Sequence, residues 1–334
     1  MWKFAYLIPG IVIYVIVLMD IIKTTLSMQG GGFLTNIISR GFWRTLLRLS
    51  GRNPKSPILD HSGYLLLVII VAVWVLCLWS SFFLLLLSDP GSVINSTTHV
   101  VAGAWEKLYY SGFNLSTAGI GDFVASNNLW RIVTDLYSAT GLIFITLSIT
   151  YFVPVLSAVI TQRQLGLGIG SLGDTPVDML LNGYNGKNFK LFVKEVTKFS
   201  DILFKHSQNH RAYPVIHYFH NTKEHNAVIL QIAKLYDAVL IFESTVKEEL
   251  QPPSIRLAQI KKAIGNYTEV AADVDHLRLR DEEQPEFFVQ SLENRPFTKN
   301  LEIKLTSESA HQRLVLNKLV QKGGWNWKTI YGMN

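Results

Sequence analysis

Three stretches of this chain are long and apolar enough to cross a bilayer, which takes about 20 residues of helix. They are Phe4–Ile22, Tyr64–Leu87 and Ile132–Ile160. Hydrocarbon offers no partner to a backbone N–H or C=O, so each stretch must close its hydrogen bonds within itself as a helix. The first lacks a basic leader beyond Lys3. It ends in Met19-Asp20-Ile21-Ile22-Lys23 rather than at a small-x-small cleavage site, so it reads as a retained span, not a secretory signal. Basic residues in short connections set orientation. The connection between the first two spans carries Lys23, Arg40, Arg44, Arg48, Arg52 and Lys55 against Asp60, which places it in the cytoplasm. The connection from Ser88 onward has no basic residue until Lys107, so it faces outside. The expectation is a multi-pass protein of the cell (plasma) membrane, with its N-terminus outside and its C-terminal part cytoplasmic.

The outer connection holds the distinctive residues. Ala104–Leu115 reads as a short helix whose bulky residues are Trp105, Leu108, Tyr109, Phe113 and Leu115. Its C-terminal carbonyl end, the negative end of the helix dipole, suits a cation. It runs directly into Ser116-Thr117-Ala118-Gly119-Ile120-Gly121-Asp122. A T-x-G-x-G-D run between an amphipathic segment and a long apolar one resembles the selectivity filter of the potassium-channel superfamily. That family's loop, Thr-Val-Gly-Tyr-Gly, replaces an ion's hydration shell with backbone carbonyls. Glycine tolerates the backbone conformations such a carbonyl ladder needs, and residues with a Cβ mostly do not. The resemblance covers roughly residues 60–160. It implies a filter of Thr117, Ala118, Gly119, Ile120 and Gly121, with K+ held by the carbonyls of Thr117, Ala118, Gly119 and Ile120. The Thr117 hydroxyl is a further oxygen ligand. It also implies that Asp122, outside the filter, is supported by a hydrogen bond to Tyr109 or Tyr110. Ala118 and Ile120 stand where the family has Val and Tyr, and are expected to point into the packing behind the filter. Phe113 lies in the region of the family's frequent pore-helix glutamate.

One quarter of a filter cannot ring an ion, so the expected assembly is a cyclic homotetramer. No span carries arginine or lysine at every third position, which excludes a voltage-sensor helix. In the third span, Gly141 falls where the family commonly has a hinge glycine, and Pro154 where inner helices converge. A close-packing glycine and an incidental proline are the other reading of these two. Ile145, Ile149 and Val153 form a stripe below Gly141 and are expected to line the pore.

Residues 33–50 are amphipathic, with Arg40, Arg44 and Arg48 on one helical face. This suits a helix on the inner membrane surface, its arginines toward anionic headgroups. The other reading is a helix packed on the cytoplasmic domain. From about Thr161 the chain turns polar. Lys187–Gln208, Asn226–Leu250, Ile255–Asn266 and Ser309–Lys322 show helical periodicity, with a short strand or two expected near Arg211–Phe219. Pro252-Pro253, Asn294-Arg295-Pro296 and Gly323-Gly324 punctuate these segments. The fold class expected is an all-α membrane protein. Its parts are an N-terminal transmembrane helix (1–23), a cytoplasmic linker with an interfacial helix (24–62), a pore-loop channel module (63–160), a linker (161–174) and a mostly helical cytoplasmic regulatory domain (175–334).

Other motifs argue less. Gly168-Ile-Gly170-Ser-Leu-Gly173 matches G-x-G-x-x-G, with Glu195 at a suitable distance, but a dinucleotide fold needs a strand before the glycines. A membrane helix precedes them here, and Asp174-Thr175-Pro176 opens the next helix unaided. A flexible linker is the favoured reading. His206, His210, His217, His220 and His225 cluster in sequence, as metal ligands or proton sensors do. No cysteine or acidic residue nearby completes a coordination set, so packing histidines are the default and no metal site is assigned. Glu248-Glu249 and Asp281-Glu282-Glu283 read most simply as solvated helix ends, weak calcium binding being the other reading. The lone Cys77 lies inside a span, and no intrachain disulfide is implied. The net charge of +6 is not gathered into a basic run, so nucleic acid is not an expected partner. No nucleophile–base–acid constellation is present, so the chain does not read as an enzyme and no cofactor is expected. The functional expectation is a potassium-selective channel, K+ being its permeant ion, gated by its cytoplasmic domain through an unknown ligand. A weakly selective cation channel and a membrane-anchored scaffold with a vestigial pore are the alternatives.

Overall fold

The computed structural model describes residues 2–27, 30–251, 255–275, 277, 279 and 283–333. Pro252, Pro253, Asp281 and Glu282 lie outside the described residues. The chain is mostly helical: α1 (Trp2–Leu26), α2 (Phe33–Leu49), α3 (Pro57–Asp60), α4 (Ser62–Leu87), α5 (Ala104–Leu115), α6 (Asn128–Gly170), α7 (Pro176–Gly183), α8 (Lys190–Ala212), α9 (Val228–Thr245), α10 (Ile255–Asp275) and α11 (Ser307–Lys322). Two short strands, β1 (Val93–Asn95) and β2 (Phe123–Ala125), flank α5. Helices α1, α4 and α6 are long and apolar enough to cross a membrane. The chain divides into two compact units, Met1–Gly41 with Leu65–Pro154, and Phe42–Tyr64 with Val155–Asn334.

In the first unit, buried hydroxyls join the three long helices. Ser81 Oγ donates to the Gly10 carbonyl (2.8 Å) and lies 2.6 Å from the Tyr137 hydroxyl, while the Tyr14 hydroxyl meets Thr140 Oγ1 at 2.8 Å. Tyr137 stacks on Phe82, centroids 4.3 Å apart. Gly10 allows α1 to approach α4, since a Cβ there would sit 3.0 Å from Leu85. Asp20 is buried near the end of α1 and acts on the start of α2. It accepts from the Leu34 N–H (2.8 Å), from Thr35 through its N–H and hydroxyl (2.6 Å for the latter), and from Trp74 Nε1 (2.9 Å). A carboxylate at a helix N-terminus meets otherwise orphaned donors and the positive end of the dipole. Gly32 follows from this, because a Cβ there would fall 2.0 Å from Asp20 Oδ1.

In the second unit, α9 is the central helix. Every residue from Leu230 to Phe242 is buried, which is why its apolar residues run all round instead of along one stripe. Within it, Asp237 receives Arg313 through Nε (2.8 Å) and Nη2 (2.9 Å), and Tyr331 through its hydroxyl (2.7 Å). Arg313 also donates to the Pro285 and Glu286 carbonyls and lies 3.5 Å from the Phe287 ring centroid. A buried guanidinium with its donors occupied thus ties α11 and the 285–287 segment to α9.

The sequence expectation for α5 matches its bounds, α8, α9 and α11 lie close to the segments expected, and α10 runs on to Asp275, beyond its expected end at Asn266. Three readings need correction. The strand expected near Arg211–Phe219 is a 3-10 helix, Pro214–Tyr218, since Pro214 fixes φ and removes a ladder donor. Residues 161–170 are not a linker, because α6 continues through them to Gly170, with Leu165 and Ile169 buried. At about 1.5 Å per residue a helix of this length far exceeds the ~30 Å hydrocarbon core. Its polar residues from Thr161 mark where it leaves the apolar composition, not where it ends. The amphipathic stretch forms α2, but 42–64 belong to the second compact unit instead of to one continuous linker.

Candidate functional site

The 104–125 segment is held by its neighbours at both ends. Lys107, although buried, donates to the carbonyls of Leu86 (3.0 Å), Asp89 (2.7 Å) and Pro90 (2.8 Å), satisfying its three ammonium protons and capping the end of α4. Trp79 Nε1 donates to the Leu108 carbonyl (3.0 Å) and Ser111 Oγ (2.9 Å), and a Cβ on Gly112 would lie 3.2 Å from the Trp79 ring. Tyr110 is buried and meets Thr134 Oγ1 of α6 at 2.9 Å. Beyond the loop, β2 pairs antiparallel with β1, Val93 opposite Ala125 and Asn95 opposite Phe123. Ser96 donates to the Asp122 carbonyl through both N–H (2.9 Å) and hydroxyl (3.0 Å).

Between these anchors the backbone takes an unusual course. Thr117 (φ 59°), Gly119 (φ 57°) and Gly121 (φ 85°) are left-handed, while the intervening Ala118 and Ile120 are not. Left-handed backbone at alternate positions is the course of neither a uniform strand nor a uniform helix. The lower end is tied back to α5, the Ala118 N–H donating to the Phe113 carbonyl (2.8 Å) and the Thr117 N–H to Asn114 (3.0 Å). A β-branched residue at positive φ is an outlier, and sequence reading, which assigned the special backbone to the glycines, missed Thr117. No local signal marks it.

The supporting residues divide. Tyr109 lies beside the Asp122 side chain, and Tyr110 serves Thr134 instead. Asp122 Oδ1 accepts from the Phe123 N–H (3.0 Å). Residues 116–121 are exposed on the single chain, and Ile120 is 56% exposed. The packing expected behind Ala118 and Ile120 is therefore not supplied at Ile120 by its own chain.

Gly141 of α6 lies where that helix meets the end of α5. A Cβ there would fall 1.9 Å from the Leu115 carbonyl oxygen, so the position needs glycine for close approach. Pro154 lies inside α6 without ending it. Ile145, Ile149 and Val153 are all exposed, forming an unpartnered apolar face on the chain. On α2, Arg40, Arg44 and Arg48 are exposed, beside the exposed Phe33, Ile37 and Leu49.

The remaining motifs resolve into packing. Gly168 and Gly170 lie in the last turns of α6, and Cβ atoms there would meet the Phe199 ring at 2.8 Å and the His225 carbonyl at 3.1 Å. A Cβ on Gly173 would fall 2.6 Å from Met179 N. Helix, not strand, precedes this triplet. Among the described residues no group of three His, Cys, Asp or Glu could hold a metal ion.

The chain is similar to the uncharacterized membrane protein YdjJ of Bacillus subtilis (strain 168), with 28% identity over 327 residues that cover 96% of this chain and 95% of that one. No family model and no solved structure matches. With its three long apolar helices, the chain is a membrane protein.

Proposed function

We propose that four copies of this chain form a potassium-selective channel, with Thr117–Gly121 of each lining one axis. The observation that carries this is the alternation at Thr117, Gly119 and Gly121, which includes a threonine in a conformation its side chain opposes. Strain of this kind, about 1–3 kcal/mol per residue, persists where the surroundings over-determine the backbone, and here both ends of the loop are anchored. Exposed filter residues and the exposed Ile145–Ile149–Val153 face are what one quarter of a closed ring would present. Asp122 and Tyr109 stiffen the outer end, and Gly141 brings the inner helix against the pore helix. Arg40, Arg44 and Arg48 would lie among anionic headgroups at the cytoplasmic surface.

A second reading, conduction with weak selectivity, draws on the 56% exposure of Ile120, which leaves the filter less buttressed than a tyrosine there would. Rubidium uptake into liposomes tests both. Potassium-selective conduction predicts uptake blocked by potassium and indifferent to sodium. Equal block by both ions favours the weakly selective pore, and no uptake by tetrameric protein contradicts conduction.

A further inference from the structure

The second compact unit holds a group of imidazoles that the proposed filter does not use. His206 and His210, four residues apart on α8, are 1% and 2% exposed. Their rings occupy the seam between α8, α10 and the 3-10 helix Pro214–Tyr218. His206 lies flat on Tyr267 of α10, centroids 5.3 Å apart and planes 24° from parallel. His210 meets His206 at 6.1 Å, Tyr267 edge-on at 6.0 Å and His217 of the 3-10 helix at 5.6 Å. Both ring nitrogens of His206 and Nδ1 of His210 are buried without a hydrogen-bond partner among the described residues. The cavity they line measures about 60 Å³, room for a few waters. Waters can serve a neutral imidazole, which offers one N–H and one bare nitrogen. They bring no counter-charge to a protonated one.

The groups around the cavity decide what a proton there would meet. Helix α6 contributes Gln162 and the exposed Arg163, α10 contributes Tyr267, and the 3-10 helix with the residues after it contributes His217 and His220. His220 Nε2 donates to the Pro54 carbonyl (2.8 Å) and has Asp60 in its surroundings. The side chains from α2, α9 and α11 are uncharged, and among the described residues no carboxylate lines the cavity. An imidazolium in the seam would be a buried charge beside other histidines, which is strongly disfavoured. Burial accordingly pushes His206 down to about 4 and lowers His210 as well, with His217 adding to both.

We propose that His206 and His210 form an acid-released latch, which holds α8 against α10 and the Pro214–Tyr218 helix while both are neutral and parts that seam when they take up protons. The latch belongs to the second unit and does not depend on conduction. Its sign follows from where a proton binds better. An open seam hydrates both imidazoles and returns them to the ordinary value of about 6.5, whereas the closed seam keeps them neutral. The latch is fully set above that value. As pH falls from there toward about 4, the open form takes up protons that the closed form refuses. The balance then moves toward opening by up to about tenfold per histidine for each pH unit.

The test is amide exchange, read by mass spectrometry on the full-length protein in detergent and corrected for the intrinsic pH dependence of exchange. Between about pH 7.5 and about pH 5, protection of residues 200–212 and 262–270 is expected to fall about tenfold or more. His206→Phe with His210→Phe, which keeps two rings and removes both proton acceptors, should hold its protection across the same range. His225→Asn, at an exposed position, should respond as the parent chain does. His206→Gln alone should remove part of the response and decides the matter if the double variant misfolds. Protection in the parent chain that does not change with pH, or an acid loss as large in the His206 variants, would overturn the latch.

Discussion

Thr117 holds a left-handed backbone at φ 59° that a β-branched side chain resists, and Gly119 and Gly121 repeat that handedness at each second position. If these three turn the carbonyls to one side, a Cβ on either glycine opposes the same geometry. Gly119→Ala and Gly121→Ala should each abolish rubidium uptake while size measurement still finds a tetramer. Normal uptake by either variant would remove the filter assignment. Gly141 calls for a different sign of effect. In an exposed helix, Gly→Ala stabilises by about 1 kcal/mol; here the new Cβ would fall 1.9 Å from the Leu115 carbonyl oxygen. Gly141→Ala should therefore lower the melting temperature, whereas an unconstrained hinge glycine would raise it. Position in the third span suggested the hinge; only the packed structure shows what the glycine touches. Tyr109 and Tyr110 teach the same lesson. Either was a fair partner for Asp122 by sequence, and Tyr110 is turned to Thr134 by the rotation of α5.

Periodicity carried most of the elements, because α5, α8, α10 and α11 each bury one face and display another. It failed at the end of α6. The residues from Thr161 to Gly170 look like a linker since their glycines and polar groups obscure the apolar period, yet Leu165 and Ile169 are buried and the glycines admit close neighbours. Asp20 was equally illegible, a lone acid at the end of a span whose partners lie at Leu34, Thr35 and Trp74. It makes the entry to α2 a tertiary device and not only a local cap. Asp20→Leu should free the start of α2, with amide exchange at Leu34 and Thr35 quickening about fivefold or more. That follows from about 1 kcal/mol for a lost helix cap. Unchanged exchange there would show that α2 is held by other contacts.

At the scale of the whole molecule, the two units rely on different interactions. The first joins apolar helices through a few buried hydroxyls and one carboxylate. The second wraps α9 in apolar side chains around the Asp237–Arg313 pair. Removing one partner of such a pair strands a charge and costs about 3–5 kcal/mol, while replacing both by apolar groups is often neutral. Asp237→Asn should thus destabilise the second unit strongly, and Asp237→Leu with Arg313→Met should recover most of the loss, as thermal unfolding followed by circular dichroism would register. A double variant no better than the single one would mean that the pair fixes the fold and does not merely fill it. Electron cryo-microscopy of the purified protein in potassium reads the assembly itself. Four chains around one axis are expected, with density for ions on that axis beside the carbonyls of Thr117 to Ile120. An assembly in which Thr117–Gly121 lies away from any symmetry axis, or a chain that stays monomeric in a membrane-like environment, would contradict it.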